Sequence, residues 1–118
     1  IAQQEVGRNL SISRKICIIA DFSIVPIGHG TTSVGRYIGE AVSAIKRVKG
    51  IRCEVTAMGT ILEAEKLDTI LDAVRSAHEA LSKSGVKRIE SILRIDDRKD
   101  KLRTMEDKIE AIKSYVQR

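Results

Sequence analysis

The sequence IRCEVTAMGTILEAE, residues 51–65, decides the fold because it predicts a β-hairpin in the middle of the chain. Apolar and polar residues alternate along 51–58, which is the pattern of a strand with one buried face. Gly59 supplies the pivot of the turn, and TILEAE, residues 60–65, reads as the short returning strand.

A helix is predicted on each side of this hairpin. Apolar residues recur at the helical period from about Ser33 to Val48, and Gly50 ends that segment. The same period runs from about Leu67 to Lys83, before Gly85. The hairpin therefore lies between two amphipathic helices.

A strand before the first helix, a strand after the second helix and a last helix complete the pattern. The segment ICIIADFSIVPI, residues 16–27, is predicted to be a largely buried strand that ends near Pro26. A last strand is predicted over 86–96. Thr104 and Asp107 have the spacing of a capping box, which predicts a third helix starting there.

The order β-α-β-β-α-β-α predicts an α+β, ferredoxin-like fold. Right-handed crossovers would place both main helices on one face of a four-stranded antiparallel sheet and leave the other face open. We predict one such domain over residues 16–118. The polar residues 1–15 are predicted to be a flexible N-terminal leader.

Composition narrows the class of protein. Apolar residues make up 42% and charged residues 31% of the chain, and no apolar run reaches membrane-spanning length. The net charge of +5 permits a nucleic-acid partner. RNA-binding domains of this topology need exposed aromatic residues on their central strands, whereas Phe22 is predicted to face the core. We therefore expect neither a nucleic-acid nor a membrane partner.

Motifs for catalysis or metal binding are weak. His78 lies beside the apolar stripe of the second helix, which favours a hydrogen-bonded, partly buried side chain. Aspartates in the segment 96–101 alternate with basic residues, which favours ion pairs over a cation site. Cys17 and Cys53 lie in strand segments and are predicted to be buried thiols in a reducing cytoplasm. We expect no enzymatic activity, no metal and no cofactor.

Four segments carry a resemblance to a known family: FSIVPIG with TTS shortly after it, AMGTILEAE, AHEAL, and IDDRKDKLRTMEDKIE. In this order they resemble the small thiamine-binding protein family over residues 16–118. The resemblance implies a ferredoxin-like fold assembled as a homo-dimer or a dimer of dimers, that is, a tetramer. It also implies a cytoplasmic protein that binds thiamine or a related pyrimidine as a ligand, with no established catalysis.

Thiamine combines a cationic thiazolium with an aminopyrimidine, so its pocket needs a carboxylate, polar groups for the ring edge, and apolar walls. Glu63 or Glu65 is a candidate for the carboxylate, although both could instead be solvated acids on an edge strand. The candidate ligand-binding residues are Ser23, Thr32, Ser33, Thr56, Met58, Gly59, Thr60 and Glu63.

Two alternatives stay open at this point. The protein could be a regulatory or protein-interaction module that uses the open sheet face only for assembly. It could also be an enzyme that uses His78 or the charged segment after the last strand.

Overall fold

A computed structural model describes residues 17–100 and 104–116. The order of elements is the predicted one, and their bounds are β1 Ile18–Pro26, α1 Gly35–Lys46, β2 Arg52–Val55, β3 Thr60–Ala64, α2 Leu67–Lys83, β4 Ile89–Asp96 and α3 Met105–Lys113. The predicted leader, residues 1–15, lies outside the described residues.

The sheet confirms the ferredoxin-like, α+β prediction. Its four strands are antiparallel and lie in the order β2-β3-β1-β4. Both main helices pack on one face, where alternate residues of β1 and β3 meet the apolar stripes of α1 and α2. The most deeply buried large side chains of this core are Phe22, Ile45, Leu62, Ile70 and Leu81.

Strand β2 is shorter than the alternation of its residues predicted. The strand ends at Val55, because Thr56 begins a tight turn that leads directly into β3. Residues 56–58 therefore belong to the turn, although their apolar and polar residues continue the strand pattern. The helices agree more closely with prediction, and α2 has the predicted bounds.

The face of the sheet opposite α1 and α2 is partly covered at one end by the start of α3. The register places Arg52, Glu63, Ile19 and Asp96 in one row across the four strands. Helix α3 starts above this row, where Met105 is buried. The capping box predicted from Thr104 and Asp107 is present, with hydrogen bonds of 3.1 and 3.0 Å.

Among the residues that the structure describes, no helix has both the length and the apolar character needed to cross a membrane.

Candidate ligand pocket

A pocket of about 300 Å³ lies between the β2–β3 hairpin and α1. Its floor is one row of the sheet on the helix-covered face, formed by Phe22, Thr60 and Val55. Its wall is the apolar side of α1 and the residue before it, namely Val34, Ile38, Ala41, Val42 and Ile45. Val55 is 58% exposed although it lies on the core-facing side of β2, because the sheet here borders the pocket.

The turn at the end of the hairpin is held by the hydroxyl group of Thr56. This hydroxyl donates to the carbonyl oxygen of Gly59 at 2.9 Å and accepts from the backbone N–H groups of Gly59 and Met58 at 3.1 and 3.3 Å. The backbone N–H of Thr56 also donates to the Gly59 carbonyl at 2.7 Å. Thr56 thus fixes the rim of the pocket, and its hydroxyl is already fully engaged in the turn.

Gly59 is required by its contact with β1. A Cβ atom at this position would lie 2.9 Å from the backbone carbonyl oxygen of Phe22, which is closer than real Cβ contacts allow. The absence of a side chain lets the hairpin turn approach β1 and close this end of the pocket.

Five of the eight predicted binding residues come together at this pocket: Ser23, Thr56, Met58, Gly59 and Thr60. Thr32 and Ser33 do not line it; both are exposed in the segment before α1, and the Ser33 N–H donates to the hydroxyl of Thr31 at 3.1 Å. Whether any of these residues contacts a ligand stays a prediction.

Glu63 lies away from the pocket, on the opposite face of the sheet. One carboxylate oxygen accepts from Arg52 at 2.9 Å, and the other accepts from the backbone N–H of Met105 at 3.0 Å. The interpretation of Glu63 as a solvated edge-strand acid is wrong: β3 lies between β2 and β1, and Glu63 is only 6% exposed.

Arg52 connects two acids on this opposite face. One terminal nitrogen of its guanidinium group donates to Glu63, and both terminal nitrogens donate to Glu106 of α3. The hydrogen bond to Glu106, more than that to Glu63, raises the pKa of Arg52. The hydrogen bond from Arg52 in turn lowers the pKa of Glu106. These charges join the start of α3 to the sheet.

The sequence analysis did not identify the apolar wall of the pocket as part of a binding site. Residues such as Ile38, Val42 and Ile45 were placed on the stripe of α1 that faces the core, and Ile45 is indeed buried there. Several residues of the same stripe also line the pocket. A helical period identifies a buried face but does not distinguish core from cavity wall.

Other candidate groups form local contacts. The ring of His78 lies 2.8 Å from the hydroxyl of Ser91, which confirms the predicted hydrogen bond. In the charged segment, Arg98 pairs with Asp100 at 2.7 Å and Lys99 with Asp97 at 3.1 Å, as predicted.

Cys17 and Cys53 are half-buried, whereas the sequence predicted that both thiols are buried. Burial, followed by the charge of Glu63, raises the pKa of Cys17 to about 11. Within the described ranges, no group of His, Cys, Asp and Glu side chains has the arrangement of a metal site.

The fold and the pocket define a small ferredoxin-like domain with an apolar cavity beside its central hairpin. The chain belongs to the thiamine-binding protein family, whose model matches residues 20–113.

Relatives from archaea and bacteria support this assignment. The UPF0045 protein of Methanothermobacter thermautotrophicus is 41% identical over 99 residues, which cover 84% of this chain and 99% of the relative. The UPF0045 protein YqgV of Bacillus subtilis is 35% identical over 102 residues, covering 84% and 97% of the two chains.

Solved structures have the same fold. A hypothetical protein from Methanocaldococcus jannaschii superposes with a TM-score of 0.74 at 41% identity, covering 85% of this chain and 97% of that one. A protein from Thermotoga maritima, named as a candidate thiamine biosynthesis/salvage protein, superposes with a TM-score of 0.66 at 25% identity, and the match covers 82% of this chain and 99% of that one.

Proposed function

We propose that this protein is a non-catalytic, cytoplasmic binding protein for thiamine or a related pyrimidine, and that the pocket beside the hairpin is the binding site. Membership of the thiamine-binding protein family supports this class of ligand. The observation that supports the location is the convergence of five predicted binding residues on one apolar pocket. Its volume of about 300 Å³ is at the small end of the range for ligand sites, which suits one ring system better than a large cofactor.

The lining of the pocket favours one half of thiamine. None of the described residues that line it is charged. Placing a cation or a phosphate inside would remove its hydration without a compensating partner, which is very unfavourable. The uncharged aminopyrimidine therefore enters the pocket, and the thiazolium lies at its mouth near the exposed side chain of Met58.

Calorimetric titration with thiamine, thiamine phosphates and 4-amino-5-hydroxymethyl-2-methylpyrimidine tests this proposal. We expect all of them to bind, and we expect phosphate groups to add no affinity. The variant Val42→Phe fills the pocket from α1 and should abolish binding, whereas Ser43→Phe adds the same ring to the exposed side of that helix and should bind normally. Equal binding by both variants would place the ligand elsewhere.

We also propose that the protein acts as a homo-oligomer, a dimer or a dimer of dimers. Apolar side chains are exposed on the open face of the sheet, on α3 and just after that helix, at positions Val25, Ile92, Ile109, Ile112, Tyr115 and Val116. Apolar groups concentrated in this way are typical of protein–protein contact surfaces. If none of the ligands binds while the protein still self-associates, the interaction-module alternative is favoured over ligand binding.

A further inference from the structure

Thr60 is the most deeply buried of the polar residues that line the pocket. Thr60 is 6% exposed, and its pairing with Phe22 places its side chain on the helix-covered face of the sheet. The Thr60 hydroxyl makes no hydrogen bond with any residue of 17–100 or 104–116. Nearly all buried polar groups in folded proteins have a partner, and one without a partner destabilises the fold. Thr56, by contrast, uses its hydroxyl within the turn.

Beside Thr60, part of one edge of strand β1 has no partner strand in the described part of the chain. Strand β1 pairs with β4 as far as Pro26, but its pairing with β3 stops at Phe22. On the β3 side, residues 23–25 therefore have no neighbouring strand among the described residues, and they line the pocket. A strand edge presents backbone N–H and C=O groups at regular spacing. The apolar pocket thus has one polar side, formed by this edge and the Thr60 hydroxyl.

We infer that Thr60 determines the specificity of the pocket. Its hydroxyl forms a hydrogen bond with a ring nitrogen or an amino group of an uncharged heterocycle, whose polar edge lies along residues 23–25 of β1. A site with a buried polar group rejects a ring of the same shape that lacks a polar edge, because that group then stays unpaired. This inference rests on the proposed binding site, and it adds the residue that selects the ligand.

The test compares the wild type with Thr60→Val, which replaces the hydroxyl by a methyl group of similar size, and with Thr60→Ser, which keeps the hydroxyl. Binding of 4-amino-5-hydroxymethyl-2-methylpyrimidine is measured by calorimetry, and binding of p-xylene by NMR titration. For Thr60→Val we expect about tenfold weaker binding of the pyrimidine. Binding of p-xylene should become stronger, and Thr60→Ser should retain the wild-type preference.

Thermal unfolding without ligand gives an independent measurement. Removal of an unpaired buried hydroxyl should raise the melting temperature of Thr60→Val by about 2–5 °C. Thr69→Val, in the first turn of α2 and outside the pocket, serves as the matched control. A lower melting temperature for Thr60→Val would show that the hydroxyl has a partner in the folded protein and would overturn the inference.

The outcomes separate this inference from the proposed function. If the wild type and Thr60→Val bind the pyrimidine equally, Thr60 does not select the ligand, although the binding function stands. If the wild type binds no pyrimidine, the proposed function fails. In that case the affinity for p-xylene decides. If Thr60→Val binds p-xylene no more tightly than the wild type does, Thr60 does not select the ligand. If it binds p-xylene more tightly, Thr60 selects a heterocycle other than this pyrimidine.

Discussion

The carboxylate of Glu63 accepts a hydrogen bond of 3.0 Å from the backbone N–H of Met105, the first residue of α3. This contact joins two positions 42 residues apart in the chain. An anion at the start of a helix is stabilised by the free N–H groups and by the helix dipole. Arg52 on the neighbouring strand balances the buried charge. Glu63 is therefore a structural residue that fixes α3 to the sheet.

Glu63→Gln should destabilise the fold without weakening ligand binding. The glutamine side chain has only one acceptor oxygen for the two donors, Arg52 and the N–H of Met105. We therefore expect the free energy of unfolding to fall by about 1–3 kcal/mol. The affinity for thiamine should change little because Glu63 does not line the pocket. Urea denaturation at fixed protein concentration measures the first effect and calorimetry the second. Glu54→Gln, an exposed acid on the neighbouring strand, should stay within about 0.5 kcal/mol of the wild type. An unchanged stability for Glu63→Gln would contradict the structural role.

The ion pair between Arg52 and Glu106 predicts a pH dependence of stability. The pKa of Glu106 is lower in the folded protein than its ordinary value of 4.5. The unfolded chain therefore takes up the proton first as the pH falls, so the stabilisation is present above about pH 4.5 and is lost as the pH falls through the lowered pKa. Thermal unfolding between pH 7 and 3 should show a shallower acid decline for Glu106→Gln than for the wild type. Parallel curves for the two proteins would mean that this pair makes no contribution.

Gly59→Ala should be destabilising, and Gly39→Ala should not. The new methyl group at position 59 meets a backbone oxygen at 2.9 Å, and relief of this contact requires the hairpin turn to move. We expect a loss of about 1–3 kcal/mol, together with weaker ligand binding because the turn forms the pocket rim. Gly39 lies within α1 and has open space around it, so alanine there should stabilise the protein by about 0.5–1 kcal/mol. Chemical denaturation of the two variants provides the comparison.

The proposed homo-oligomer predicts that Ile92→Lys weakens self-association. Ile92 is 71% exposed on the open face of the sheet, close to the exposed side chain of Val25 on β1. A charge in a buried interface is unfavourable unless it finds a partner, so we expect dissociation at micromolar concentration in sedimentation equilibrium. Leu71→Lys on α2 changes a similarly apolar, partly exposed side chain elsewhere and should leave association unchanged. If neither variant alters the wild-type mass, the open face is not the contact surface.

The sequence alone determined the order and type of the elements. Strand alternation and helical period are local properties, so they identified the hairpin, the bounds of α2 and the capping box of α3 from neighbouring residues. They also identified the polar residues of the hairpin turn that lie at the pocket. Two strand boundaries were exceptions. The end of β2 differs because hydrogen bonds of the Thr56 hydroxyl stop a strand whose alternation continues. The last strand, predicted from residue 86, begins at Ile89.

Only the tertiary structure decided what each face of the sheet meets. Alternation placed Glu63 on one side of its strand, but the burial of that carboxylate depends on β3 lying between β2 and β1, and on α3 returning from far along the chain. The pocket likewise depends on distant elements, because its wall comes from α1 and its floor from three strands. Burial and cavity shape are set by non-local packing, and the periodicity of one segment carries no information about which element covers it.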